Sequence, residues 1–482
     1  MTDFKKIYQQ VYKKNNLYSL KKDKPCKNIL KNNRPNTVAV VGGALGDEGK
    51  GRVTDELTAL FLKNHQKVVH YRDNGGANAG HTVETEGVRI ALHQLGSGIM
   101  QKNADIIMGK EMVLHPEDLV TEIKDVLKAC KSKKLPANLI IDEMAFLCLD
   151  THRAFEAVIK MRSRGGEGAT GRGISPAYAD VVFRHPLRMR DLMARTWKKK
   201  LKKHYEMYRD WVKGMGYKLT DLEAPRLGQP NVRIGSYAVF EKRLAKTRQT
   251  LKQYVQPVQD KLNKYWEDGT PIVIEKSQAL GLDKRWGVYP DVTASNCGFD
   301  GIFSSTEGVF DPDQFSAKIA TIKATYSSSV GARRLPTLMK GELADRIRKD
   351  AHEYGATTGR PRDIAHIDLP MLSFLAKTGR VEYLAITHLD ISYPDTPVKV
   401  CVGYEIEGKP AVYRPDQEHL DKVKPIYIEL PAWDGAATQK AKKISELPQE
   451  AQQYVAFISE SLGVTPLLIT TGPKRHQTIK CF

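Results

Sequence analysis

The sequence predicts an α/β fold: a large central sheet, mostly parallel, flanked by helices. Two observations carry that expectation. Short apolar and β-branched runs alternate with helical stretches along the chain, at 38–41, 68–71, 106–108, 139–141, 272–274 and 466–470. The first run also passes at once into a glycine-rich turn, Gly42-Gly43-Ala44-Leu45-Gly46-Asp47-Glu48-Gly49-Lys50-Gly51-Arg52, with a helical stretch at 53–62 behind it. At 482 residues the length suits two to four domains or one large α/β domain with insertions. The pattern predicts the latter: an arm at 1–36, then one domain at 37–482 with a helical insertion at about 190–268.

Residues 1–36 are rich in lysine and asparagine, with a short helix expected at 4–12 and no apolar core of a secretory signal. The lysines stand where a transit peptide would favour Arg and Ser, so the stretch reads as a flexible or loosely docked arm. After the first strand and helix, a second strand leads into another glycine loop, Asn74-Gly75-Gly76-Ala77-Asn78-Ala79-Gly80-His81-Thr82. Residues 116–129 read as a helix with Leu119, Ile123 and Val126 on one face. Residues 193–213 form a basic amphipathic helix, where Trp197, Leu201, Tyr205 and Tyr208 oppose lysines 198–200, 202 and 203. That stripe reads as a surface helix with an aromatic core face. One or two more helices at 237–266, broken at Pro257, complete the insertion. The last strand ends in Thr471-Gly472-Pro473.

Composition bounds the function. Hydrophobic content of 41% and charged content of 27% are ordinary for a soluble globular protein, and no apolar run approaches the ~18–20 residues of a membrane span. Six cysteines at 26, 130, 148, 297, 401 and 481 form no C-x-x-C pair; they read as reduced thiols of a cytoplasmic protein. The net charge of +19 raises nucleic-acid binding. Much of the excess sits in the arm and at 197–213, and an enzyme of anionic nucleotides also needs positive charge, so a dedicated nucleic-acid binder is the lesser reading.

Strand, glycine loop and helix form the arrangement that cradles phosphate, because glycines let backbone N–H groups approach an anion at a positive helix end. No Ser or Thr follows Lys50 and the glycine spacing is not that of a Walker loop. An acid inside such a loop repels its ligand unless it holds a metal or works as a base, which singles out Asp47. His81 sits on a tight turn after a strand. Residues 168–178 form a further anion-friendly loop, and 355–362 offers hydroxyls and two arginines suited to carboxylate or phosphate. Thr387-His388-Leu389-Asp390 ends a strand with an acid able to pair with the N1–H and 2-amino group of guanine.

These motifs, in this order, resemble the adenylosuccinate synthetases: GDEGKG at 46–51, NAGHT at 78–82, ATGRGISPAY at 169–178, VTASN at 292–296, GATTGRPR at 355–362, HLD at 388–390 and TTGP at 470–473. The resemblance implies a mostly parallel sheet with a P-loop-NTPase-like core, a homodimer, and ligation of IMP and L-aspartate driven by GTP with magnesium. It implies that Asp47 takes the N1 proton of IMP and that His81 stabilises and protonates the 6-oxygen, with Gln278 also catalytic. Magnesium would bind the Asp47 carboxylate and the Gly80 carbonyl, while Lys50 and the loop amides offset phosphoryl charge. GTP would meet Gly46, Glu48, Gly49, Lys50, Gly51, His388, Asp390, Thr471, Gly472 and Pro473. IMP would meet Asp47, Asn78, Thr170, Gln278, Thr293 and, across the dimer, Arg184. Aspartate would meet Thr357, Thr358, Arg360 and Arg362.

The chain departs from the family pattern at several places. Ala44-Leu45, Ala77, Lys276-Ser277, Trp286, Asp363 and His388 replace usual residues, and Ser328-Ser329-Val330-Gly331 lacks its usual arginine. Residues that bear chemistry are kept and residues expected to shape pockets are changed. Room for a 2-amino group is expected beside Ala44, Leu45, Lys276 and Ser277. The alternatives are therefore a sibling ligase using dGMP or GMP, or ATP as phosphoryl donor, and a non-catalytic nucleotide-sensing or nucleic-acid-linked protein.

Overall fold

The β-branched run that opens the domain lies in the middle of an eleven-stranded sheet. The computed structural model describes residues 3–13, 36–85, 87–162, 170–329, 333–355 and 359–482. In chain order the main strands are β1 (Thr37–Gly42), β2 (Val68–Gly76), β3 (Ala104–Leu114), β4 (Asn138–Asp142), β5 (Val255–Gln256), β6 (Ile272–Ala279), β7 (Ala317–Lys323), β8 (Tyr383–Thr387), β9 (Thr465–Thr470) and β10 (Thr478–Lys480). The helices used below are α1 (Phe4–Tyr8), α2 (Lys50–Leu62), α3 (Pro116–Ala129), α4 (Asp150–Arg162), α5 (Ile174–Val182), α6 (Trp197–Gly214), α7 (Tyr237–Leu251) and α8 (Gln449–Leu462).

Across the sheet the order is β5-β4-β3-β2-β6-β1-β7-β8-β9-β10. The β1–β6, β1–β7, β2–β6, β2–β3, β3–β4, β4–β5, β7–β8 and β8–β9 pairs are parallel, and only β9–β10 runs antiparallel. From β1 the chain moves outward to β2, β3 and β4; from β7 it moves the other way to β8 and β9. The loops leaving β1 and β7 diverge, and such a switch point opens a crevice at the carboxyl ends of the strands. Strands β1 and β2 are buried throughout, as a sheet covered on both faces requires.

A smaller sheet follows β7. Tyr326–Ser329 pairs antiparallel with Asp363–Asp368, which pairs in parallel with Val398–Ile406. It brings Glu353 and Arg362 to the end of β7, where Lys323 meets Glu353.

Helix α3 starts where Pro at its first turn and an accepting His115 Nδ1 satisfy the free amides. The stripe Trp197, Leu201, Tyr205 and Tyr208 on α6 is buried with Phe240 and Leu244 of α7, while lysines 198–200, 202 and 203 face solvent. The insertion is not wholly helical. It holds a hairpin, Glu223–Arg226 with Gln229–Arg233, and the edge strand β5, because the chain must turn back onto β4 before re-entering the sheet.

Within the expected arm, residues 3–13 are docked rather than loose. Phe4 and Val11 are buried, and the rings of Tyr8 and Tyr12 meet Phe457 of α8 at 6.4 and 6.1 Å. Residues 14–35 lie outside the described residues. Among the described residues five cysteines are free, and no helix is long and apolar enough to cross a membrane.

Candidate active site

The glycine turn after β1 is held by its own acid. Glu48 is buried, and its Oε1 accepts N–H bonds from Gly46 at 2.6 Å and Ala44 at 3.2 Å. Lys50 Nζ lies 3.2 Å from Glu48 Oε2, and Thr387 Oγ1 donates to the Glu48 carbonyl at 2.8 Å. Glu48, expected among the nucleotide contacts, thus turns inward as the loop's scaffold, and its charge is offset by Lys50. Its neighbour Asp47 is pushed outward at φ 58°, a left-handed conformation Asp tolerates better than bulkier residues.

His81 stands against the first turn of α2. A Cβ on Gly51 would lie 2.8 Å from His81 Cβ and from Ser97 Oγ, so glycine there permits the approach. The ring is buried and its Nδ1 is hydrogen-bonded to Glu275 Oε1 on β6. Glu275 also accepts from Ser97 N at 2.8 Å and Ser97 Oγ at 2.9 Å, and meets His70 Nε2 at 2.6 Å. Burial lowers the His81 pKa below its ordinary value, while the Glu275 carboxylate pulls the other way. The pairing puts the Nδ1 proton toward Glu275 and leaves Nε2 as the free face. Glu275 went unnoticed in the sequence, although an acid between Ile274 and Lys276 in a buried strand was the available signal.

At the end of β6, Gln278 has φ 60° and its Oε1 accepts from Ser295 Oγ at 3.0 Å. Its Nε2 is buried with no partner, a donor in want of an acceptor. A Cβ on Gly75 would lie 3.2 Å from Gln278 Oε1, so the amide lies against the end of β2, where the loop begins. In that loop Asn78 Oδ1 accepts from Gly76 N at 3.2 Å, and Gly80 follows immediately before His81.

A chain of opposite charges runs from β7 to Asp47. Lys323 and Tyr326 donate to Glu353 Oε1, Arg362 NH1 meets Glu353 Oε2 at 2.8 Å, and Arg362 NH2 meets Asp47 Oδ2 at 2.8 Å. Burial alone would raise the Glu353 pKa, but Lys323 and Arg362 hold it well below the carboxylate range. Arg362, expected at the aspartate site, is here the partner of the expected base. Thr357 and Thr358 lie outside the described residues, and Arg360 is exposed.

At the far end, His388 has φ 58° and shares a 3.0 Å hydrogen bond with Thr387 Oγ1. Burial, then the nearby Lys323 charge, lowers its pKa to about 4. Asp390, two residues on, is raised by burial against the charge of Arg52. Arg52 of α2 donates to the carbonyls of Pro473 and Lys474 and to Thr478 Oγ1, tying the loop of Thr471, Gly472 and Pro473 to the glycine turn. Thr471 Oγ1 is buried without a partner.

Other expected residues are less gathered. Thr293 is half-buried and bonded through its N–H to Leu282 O. Thr170 is exposed, and Arg184 is exposed at the end of α5 beside Val182 and Phe183.

The residues expected to make room for a 2-amino group are all buried, and Leu45 lines a small, largely apolar cavity with Val288 and Met371. Ala44 and Leu45 are core residues, and Lys276 is buried with its Nζ 2.7 Å from Asp73. Ser277 is buried too, its Oγ donating to Asn74 O at 2.8 Å and accepting from Arg72. These substitutions exchange core contacts. Near the serines that stand in place of the usual arginine, Arg333 is buried and donates to Ser329 Oγ at 3.1 Å and Asp291 O at 2.9 Å.

Asp47 and Gly80 offer a carboxylate and a carbonyl oxygen, the hard donors magnesium prefers. Among the described residues the one group spaced like a metal site is His152, Asp180 and His204. It does not suit magnesium: His152 Nδ1 accepts from Leu149 N–H at 2.8 Å, so Nε2 carries the proton and donates to Asp180 at 3.0 Å.

The adenylosuccinate synthetase family model matches residues 39–479. An adenylosuccinate synthetase of Clostridium perfringens is 33% identical over 444 residues, covering 92% of this chain and 98% of the relative. The fully ligated adenylosuccinate synthetase of Plasmodium falciparum superposes with a TM-score of 0.81 at 25% identity, over 93% of this chain and all of the other. The cyanophage S-2L succinoaminodeoxyadenylate synthetase, solved with dGMP and dATP, shares the fold alone: 16% identity, TM-score 0.55, with 92% and 95% of the chains covered.

Proposed function

The chain belongs to the adenylosuccinate synthetase family, and from that premise we propose how its residues perform the family's reaction, the GTP-dependent joining of IMP and L-aspartate to give adenylosuccinate, GDP and phosphate. The observation that carries the proposal is that the glycine turn bearing Asp47 runs into the start of α2, while His81, its buried ring held by Glu275, packs against Gly51 in the first turn of the same helix.

The 6-oxo group of IMP leaves poorly and must first be activated. Asp47 removes the N1 proton, which makes the 6-oxygen the nucleophile toward the GTP γ-phosphorus. The new O–P bond forms as the bond to the GDP oxygen breaks, and Lys50 exchanges Glu48 for the charge building on the phosphoryl group. His81 presents Nε2 to the 6-oxygen. Substrate phosphate raises its proton affinity, Glu275 steadies the imidazolium, and the protonated ring supports departure of phosphate when the aspartate amine attacks C6. The unpartnered Gln278 amide holds the reacting edge of the purine. Magnesium held by Asp47 and Gly80 supplies charge neutralisation at the GTP phosphates. Arg362 and Arg360 take the carboxylates of aspartate, and Asp390 reads guanine.

Arg184 is proposed to serve the partner subunit of a homodimer. Val182 and Phe183 beside it are 79% and 62% exposed, an apolar edge suited to burial between subunits. The free thiols fit a reducing compartment such as the cytoplasm.

The test is phosphate release with GTP, magnesium and aspartate, offering IMP, dIMP, GMP and dGMP separately, with ATP replacing GTP in a parallel set. Release with IMP and GTP is expected. Release only with a guanine nucleotide, or only with ATP, would overturn the assignment of substrates.

A further inference from the structure

A second polar cleft lies outside the site just described, between α3, the hairpin at 223–233 and α7. Its volume is about 350 Å³, within the ~300–1,000 Å³ of small-molecule sites. Four cations face it: Lys124 on α3, Arg226 on the hairpin, and Arg243 and Lys246 on α7. The two carboxylates on its wall are already engaged. Glu117 meets Arg226 at 2.9 Å, and Asp118 meets Arg153 at 2.6 Å and Leu227 N–H at 3.1 Å.

The cations are less fully used. Lys124 and Lys246 are exposed and make no ion pair among the described residues. Arg243 reaches Asp150 at 3.2 Å and Ile234 O at 3.1 Å through NH2 and Arg233 O at 3.3 Å through NH1, and its buried Nε has no acceptor. Two exposed ammonium groups without ion-pair partners among the described residues, in one cleft with two guanidinium groups, suit an anion with several oxygens. The only apolar lining is Val120 and Val232, so the cleft offers no aromatic face on which a base could stack.

We propose that this cleft is a binding site for a compact phosphorylated anion, such as a diphosphate or sugar phosphate, distinct from the nucleotide sites. The site has a wire to the catalytic half. Asp118, on its wall, also lies 3.8 Å from Arg172, in the loop that runs from Thr170 into α5. An anion that draws Arg226 from Glu117 changes the field around Asp118 and, through it, the seat of Arg172. The site therefore modulates the apparent affinity for the nucleoside monophosphate.

The experiment is a calorimetric titration of the full-length protein with inorganic pyrophosphate and, separately, ribose 5-phosphate. Three proteins are compared: the unaltered chain, Lys50→Ala, and Lys124→Ala/Lys246→Ala, whose altered side chains are exposed and outside the catalytic machinery. The expected result is a binding event that survives Lys50→Ala and weakens at least tenfold in the double variant, with a matching shift in KM for IMP. Which probe binds tells a free diphosphate from a sugar phosphate. Binding lost only with Lys50→Ala would place the anion in the glycine turn and overturn the proposal. No binding of either probe at millimolar concentration would overturn it equally.

Discussion

Two carboxylate pairs contribute to the site, Glu275 with His81 and Asp47 with Arg362, and they differ in how much of the fold is committed to them. Glu275 and His81 are both buried, and Ser97 and His70 complete the shell of that carboxylate. Asp47 and Arg362 are partly exposed, and Arg362 is shared with Glu353 on a separate segment. The first pair is built into the sheet and is ready before substrate arrives. The second is a contact that substrates must exchange: Asp47 is needed by IMP and magnesium, Arg362 by aspartate. Protein structure can preorganise an acid more cheaply than it can keep a base and a substrate receptor both vacant.

The comparison breaks most visibly at Asp47. Asp47→Asn removes base and metal ligand together and leaves Arg362 with Glu353 alone. A fall in kcat of about 10³-fold or more is expected, read by phosphate release at saturating substrates. Near-normal turnover would assign proton removal elsewhere. On the prewired side, Glu275→Gln should lower kcat by about 10²-fold. It also carries a signed pH signature. Burial depresses His81 and Glu275 counters it, so neutralising Glu275 lowers the His81 pKa further. The limb of kcat that needs protonated His81 then moves to lower pH. An unmoved limb would make Glu275 merely structural.

Arg362→Leu sharpens the difference between the pairs. The aspartate KM should rise about 10–100-fold, as expected for loss of a charge-assisted contact to a carboxylate. The IMP KM should change far less, because Asp47 keeps its place in the glycine turn. Equal effects on both would mean that Arg362 serves the nucleotide through Asp47 and that aspartate is held by other groups.

Much of this was legible in the chain. Alternating runs gave the parallel sheet, and Asp47 and Lys50 stood out because charges inside a glycine turn demand a reason. Glu275, Lys323 and Glu353 did not stand out. Glu275 and Lys323 matter because strands β6 and β7 lie on either side of β1, and Glu353 because it meets Lys323 and Arg362, a neighbourhood that local spacing cannot express. The orientation of the Glu48 side chain was hidden for a related reason. Sequence places it beside Asp47, but opposite rotations of adjacent residues turn one carboxylate into the loop and the other out of it. Ala44, Leu45, Lys276 and Ser277 are the plainest lesson. Adjacency in sequence to Gln278 and the glycine turn suggested a pocket, whereas the alternation of side chains along β6 sends Lys276 and Ser277 into buried contacts.

That correction has its own test, with the smallest effect on catalysis. Ser277 Oγ donates to Asn74 O and accepts from Arg72, whose side chain is fully buried. Ser277→Ala removes the acceptor of two N–H groups of a buried guanidinium. A loss of about 1–3 kcal/mol in unfolding free energy is expected from denaturant titration. The preference for IMP over dGMP should stay unchanged, because no atom of Ser277 reaches the crevice. If instead dGMP turnover rises while stability holds, Ser277 shapes the base pocket and the buried arrangement around Arg72 is not the one that binds nucleotide. Each account moves one readout and leaves the other still, so a single variant decides whether this departure from the family pattern concerns the core or the substrate.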